Sequence, residues 1–139
     1  MQQQRIENQR GEIDFRRKLV RQQVGREAVF TDENDGGQIE QILRGRMAAT
    51  STDLAALKKS GVAKSPYLEI GAERCQRALV AENDHSMRGA AADISFDMLK
   101  SAEHYAGVFS QRRLPLRVCC DANNLPFLSD SLPFVFCYE

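Results

Sequence analysis

The carboxyl-terminal half of this chain alternates short apolar runs with segments of helical spacing, and that alternation constrains the fold more than any other feature. After Ser65-Pro66, Tyr67-Leu68-Glu69-Ile70 reads as a strand running into Gly71. Arg74 to Ala81 reads as a short helix, and Arg88-Gly89-Ala90-Ala91-Ala92 as a second strand ending at Asp93. Ser95 stands where an N-cap is expected. Met98, Ala102, Tyr105 and Phe109 then share one face of a helix from Phe96 to about Phe109. Leu116-Arg117-Val118-Cys119-Cys120 is a third strand ending at Asp121, and Leu132 or Pro133 to Tyr138 a fourth. Strands joined through helices pair in parallel by right-handed crossovers. The expected class is α/β: a parallel sheet of about four strands with helices on both faces.

The first 64 residues have a different character and are expected to form a polar, helical extension ahead of a second domain at 65–139. Residues 1–30 carry six Gln, and seven basic residues against four acidic ones. Ile6, Ile13, Leu19 and Val20 give only a loose helical spacing, so a solvated helix is expected. Thr31 to Gly37 combines acidic turn formers with two glycines and reads as a break, whose spacing does not fit a calcium loop. Two short helices are expected next, one over Gln38–Ala48 and one from about Asp53 to Lys59. Ser51 or Thr52 would cap the second and Gly61 would end it.

Composition narrows the functional classes. Of 139 residues, 19 are Lys or Arg and 19 are Asp or Glu, so bulk charge gives no nucleic-acid signal. No apolar run approaches the roughly 20 residues that span a bilayer, and the Gln-rich start has no apolar core of a signal peptide. A cytoplasmic protein with no membrane partner is the expectation. The four cysteines, Cys75, Cys119, Cys120 and Cys137, form no CxxC pair, so free thiols are expected and a metal site is not. His85 reads as a turn residue and His104 as a helix residue beside Tyr105. Both are read as structural.

Three strands end at or near an acid. In a parallel sheet Glu69, Asp93 and Asp121 share the carboxyl edge, where ligands of such sheets bind. Gly71 lacks a Cβ and lets a ligand approach the backbone. Asp93, 24 residues after Glu69, can accept from a ribose diol. Asp121 can accept from an exocyclic amine while the Ala122 N–H donates to the adjacent ring nitrogen, a pair that reads an adenine edge. Ile94, Phe96 and Leu125 are placed to sandwich the ring.

Leu68-Glu69-Ile70-Gly71-Ala72, Ala92-Asp93-Ile94-Ser95-Phe96-Asp97-Met98-Leu99 and Asp121-Ala122-Asn123-Asn124-Leu125-Pro126-Phe127 resemble three successive signatures of the class I S-adenosylmethionine-dependent methyltransferases. Ser129 to Phe136 resembles the next. The resemblance covers about residues 66–139 and implies a Rossmann-like fold. It implies S-adenosylmethionine as cofactor and methyl transfer to an acceptor that the sequence does not identify. It places Glu69 and Gly71 near the methionine part, Asp93 at the ribose with Ile94 against the adenine, and Asp121 and Ala122 at the adenine edge. The catalytic residues stay unassigned, because a general base is needed only for an acceptor that holds a proton at neutral pH.

The family pattern has two or three glycines in the first loop. Here Gly71 is followed by Ala72, Glu73, Arg74 and Cys75, and Pro133 replaces the acid common at the start of the fourth strand. The chain stops at Glu139, so a truncated domain is expected, with a fourth-strand edge of Phe134, Val135, Phe136 and Tyr138 open to oligomer formation. Two other classes compete: a nicotinamide-dependent oxidoreductase, which lacks G-x-G-x-x-G after Gly71, and a decayed domain acting as a non-catalytic interaction module.

Overall fold

A computed structural model describes residues 1–27 and 35–138. The elements are α1 (Gln2–Glu27), α2 (Asp35–Lys59), β1 (Tyr67–Ile70), α3 (Gln76–Asp84), β2 (Gly89–Asp93), α4 (Phe96–Ala106), β3 (Leu116–Cys119) and β4 (Phe134–Cys137). The strands form one parallel sheet in the order β3-β2-β1-β4. This is the 3-2-1-4 portion of the doubly wound order, so the chain is Rossmann-like α/β with helices ahead of the sheet.

Side chains of β1 alternate across the sheet, as strand geometry requires. Tyr67 and Glu69 face α3, while Leu68 and Ile70 face the other way. The first face is packed with small residues. Ala78, Ala81, Ala91 and Ala102 are fully buried in one cluster with Tyr67 and Leu54, which lets α3 and α4 lie close to the sheet. The second face is closed by the β3–β4 connection, whose Leu125, Phe127 and Leu132 cover Leu68, Ala90 and Ala92. Helices are expected on both faces. This connection carries Pro126, Pro133 and several Asn and Asp turn formers, and it runs as turns and loop.

The expected pair of helices over 38–59 is instead one continuous helix, α2, which also takes in Asp35, Gly36 and Gly37. The rest of the expected break lies outside the described residues. Ser51 and Thr52 do not cap a second helix. The Thr52 hydroxyl donates to the Ala48 carbonyl (3.0 Å), and Ser51 Oγ lies 2.8 Å from His85 Nε2. Both hydroxyls are satisfied without interrupting the helix, and Leu43, Met47 and Leu54 bury one stripe of it. The expected stop does occur. Gly61 adopts φ +78°, and the Val62 and Ala63 N–H groups both donate to the Leu57 carbonyl at 2.9 and 3.0 Å.

Gly89 fixes the start of β2. A Cβ there would lie 2.3 Å from the Tyr67 carbonyl oxygen and 2.6 Å from its ring. That ring is itself locked, with the Tyr67 hydroxyl donating to buried Glu82 at 3.0 Å. Gly89→Ala is expected to destabilise the fold by about 3 kcal/mol, the upper end of ordinary overpacking. Gly45→Ala, in α2 with open space around it, should stabilise by about 0.5–1 kcal/mol. Urea midpoints of the two variants check both signs, and a tolerated Gly89→Ala contradicts the packing described.

Candidate functional site

The carboxyl ends of the strands meet at a cavity of about 360 Å³ lined by Gly71, Asp93, Ile94, Asp121, Ala122 and Leu125, among others. Five of the six residues named from the sequence therefore converge. The sixth, Glu69, does not line this cavity. It lies beneath the site on the α3 face, 1% exposed, and its Oε2 accepts the Ala78 N–H at 3.1 Å. Its Oε1 is buried with no hydrogen-bond partner among the described residues. Burial pushes the Glu69 carboxyl up to about 8, against the pull of Arg77 and the Ala78 N–H, so it is largely protonated at neutral pH.

The loop after β1 keeps a glycine-type backbone without the glycines. Gly71 has φ +69°, Glu73 φ +49° and Cys75 φ +58°. Every second residue is thus left-handed, a conformation that costs a non-glycine residue about 1 kcal/mol or more. Hydrogen bonds hold it. The Ala72 N–H donates to the Ala92 carbonyl (3.0 Å), the Cys75 N–H to the Ala72 carbonyl (2.7 Å), and the Glu73 N–H to Asp93 Oδ2 (2.9 Å). Cys75 is fully buried, and burial pushes its thiol up to about 12, so it is no nucleophile.

Asp93 is the hinge of the site. Its Oδ2 takes the Glu73 N–H after β1, and its Oδ1 takes the Ser95 N–H after β2 (2.8 Å). Each oxygen retains a lone pair for a ligand hydroxyl. Ser95 in turn caps α4, its Oγ accepting the Met98 N–H at 3.3 Å.

Asp121 is more heavily engaged. Its Oδ1 accepts the Asn123 N–H and Asn123 Nδ2, both at 2.9 Å. Its Oδ2 accepts Gln9 Nε2 at 2.8 Å and Arg5 Nη2. The Asn123 N–H, followed by Arg5 and the Asn123 amide, holds the carboxyl far below the usual range. Arg5 and Gln9 belong to α1, which crosses the carboxyl edge. Glu12 and Arg16 of the same helix help to line the cavity. A search for apolar spacing in residues 1–30 misses this role. The readable signal is a polar stripe: Arg5, Gln9, Glu12 and Arg16 stand at i, i+4, i+7 and i+11.

Other sequence candidates lie elsewhere. Phe96 is 63% exposed and lines a separate hollow with Leu116, so Ile94 and Leu125 remain as the apolar walls. His85 packs against Ser51 of α2, and burial holds its imidazole below the ordinary value. His104 meets the Tyr105 ring edge-on. Neither histidine lines the cavity. Among the described residues no cluster of three or more His, Cys, Asp or Glu is placed to hold a metal, and no helix is long and apolar enough to cross a membrane. Comparison with protein families, with curated proteins and with solved structures found no match.

Proposed function

We propose that this chain binds S-adenosylmethionine at the carboxyl edge of its sheet and forms the cofactor-binding part of a methyltransferase. One observation carries the reading: Gly71, Asp93, Ile94, Asp121 and Ala122, spread over 52 positions of sequence, line one cavity. The chemistry of that set fits an adenosyl group. Asp93 accepts ribose hydroxyls with the lone pairs its loop bonds leave open. Asp121, once Arg5 and Gln9 give up its Oδ2, and the Ala122 N–H would serve the amino and ring-nitrogen edge of the base, while Ile94 and Leu125 supply apolar walls. Gly71, whose absent Cβ would meet nothing within 4 Å, admits the remainder of the ligand.

When bound, the cofactor supplies a methyl group activated by a sulfonium. The protein's share is alignment and exclusion of water. No side chain in the cavity is assigned as a general base, which is needed only for an acceptor that holds its proton at neutral pH. The acceptor is unassigned. The filled acceptor sites of Asp121 favour a second reading, a non-catalytic interaction domain.

An amide-correlation NMR spectrum with and without S-adenosylhomocysteine tests the assignment. The expected result is a dispersed spectrum with shifts at Gly71, Asp93 and Ala122. A dispersed spectrum that does not move overturns it in favour of the second reading.

A further inference from the structure

We propose that α1 is a strap that closes the adenine end of the carboxyl-edge cavity, and that a nucleoside ligand binds there only as Arg5 and Gln9 leave Asp121. This rests on the cofactor reading for the ligand's identity, and on geometry for the strap.

A carboxylate offers about four acceptor positions, two on each oxygen. All four on Asp121 are taken: two by Asn123, which belongs to the same loop, and two by Gln9 and Arg5 of α1. An exocyclic amine therefore finds no acceptor on Asp121 while α1 is docked. The loop bonds from Asn123 are local and stay. Only the α1 pair can be exchanged.

The way α1 is held suits exchange. It contacts the body at the end of each of three strands: the loop after β1 at Glu73 through Arg16, the first turn of α4 at Asp97 through Arg17 (2.9 Å), and the loop after β3 at Asp121 through Arg5 and Gln9. The three ion pairs have solvent access, with Arg5 half exposed and Arg17 45% exposed. Such pairs are individually weak and are screened by salt. The apolar anchorage is thin. Ile13, Leu19 and Val20 are only half-buried, and Ile6 and Phe15 are exposed. A helix docked by weak polar contacts over the loops that bind ligand lowers apparent affinity by the fraction of time the site is open. It also reverses the usual salt effect, because salt that loosens α1 frees Asp121.

Two measurements on the full chain test the strap. Calorimetric titration with S-adenosylhomocysteine compares the natural chain with the double variant Arg5→Ala, Gln9→Ala. The variant should bind at least about 10-fold tighter, and affinity of the natural chain should rise with added salt. Amide hydrogen exchange of α1 is followed without ligand in Asp121→Asn, which removes the negative charge and one of the two acceptor oxygens without touching the helix. Exchange should accelerate across α1. Binding by the natural chain that is matched or weakened in the double variant overturns the strap and leaves the cofactor reading intact. Unchanged α1 exchange in Asp121→Asn overturns the strap whatever the titration gives. Accelerated exchange with no binding by either chain supports the strap and sinks the cofactor reading.

Discussion

Replacing Glu69 by glutamine should make the chain markedly more stable above pH 7 and change its stability little below pH 5. Glu69 sits in the middle of β1, 1% exposed, with one oxygen on the Ala78 N–H and the other without a partner among the described residues. Burial lifts its carboxyl to about 8, with Asp93 and Glu73 adding to the rise, whereas an unfolded glutamate titrates near ~4.3. Between those values the folded chain holds a proton that the unfolded chain has released. Stability from this site is thus complete below about pH 4 and is lost as pH climbs through about 8. The slope is on the order of 1 kcal/mol for each pH unit, which is large against the stability of a small domain. Glutamine keeps an acceptor for Ala78 and carries no titrating proton. Urea midpoints from pH 5 to pH 9 should therefore diverge, with the natural chain falling below Glu69→Gln by a margin that grows to about pH 8 and then levels. Parallel curves would mean that the carboxylate is ionised in the folded state and finds a partner the geometry lacks.

The same residue shows what the sequence makes legible. Strand ends were readable because each apolar run stops at glycine or an acid, and β1, β2, β3 and β4 begin and end within about two residues of the expected positions. The buried stripe of Met98, Ala102 and Tyr105 and the Ser95 cap were readable from helical spacing. The burial of Glu69 was also within reach, since alternation puts it on the face of Tyr67. Its place as an acid at a strand end drew it into the ligand site instead. The loop after β1 was misleading in the opposite sense. Glu73 and Cys75 looked like departures from a glycine loop, yet Asp93 and the Ala72 carbonyl hold both in left-handed backbone. Hydrogen bonds from distant residues carry that conformation, and no local propensity announces it. The continuity of α2 was hidden for a related reason. A hydroxyl pair such as Ser51-Thr52 caps a helix or decorates one depending on its partners, here Ala48 and His85. The placement of α1 was hidden because its contacts to the body are largely charged and its apolar residues trace no continuous stripe.

Asp93→Ala should cost both stability and ligand, and the two losses should separate. The carboxylate ties the loop after β1 to the loop after β2 by accepting the Glu73 and Ser95 N–H groups at 2.9 and 2.8 Å. Alanine leaves both donors without their acceptor, and Ser95 is fully buried. An orphaned buried donor costs about 1–3 kcal/mol, so the variant should lose about 2 kcal/mol or more of unfolding free energy. Glu73, whose φ of +49° that bond offsets, then keeps its left-handed strain with nothing to compensate it. Asp93→Asn should fall between, because its single amide oxygen can accept one of the two N–H groups while its NH₂ faces the other. Binding of S-adenosylhomocysteine should drop by about 100-fold or more in Asp93→Ala, the order expected for losing an ionised acceptor of two hydroxyls. Adding Glu73→Gly separates the roles. Glycine adopts the left-handed backbone without strain, and the ion pair it gives up to Arg16 is partly exposed and worth little. The double variant should recover about 1 kcal/mol of stability and none of the binding. Recovery of binding along with stability would mean that Asp93 acts only by holding the loop, and that the ribose is held by other groups.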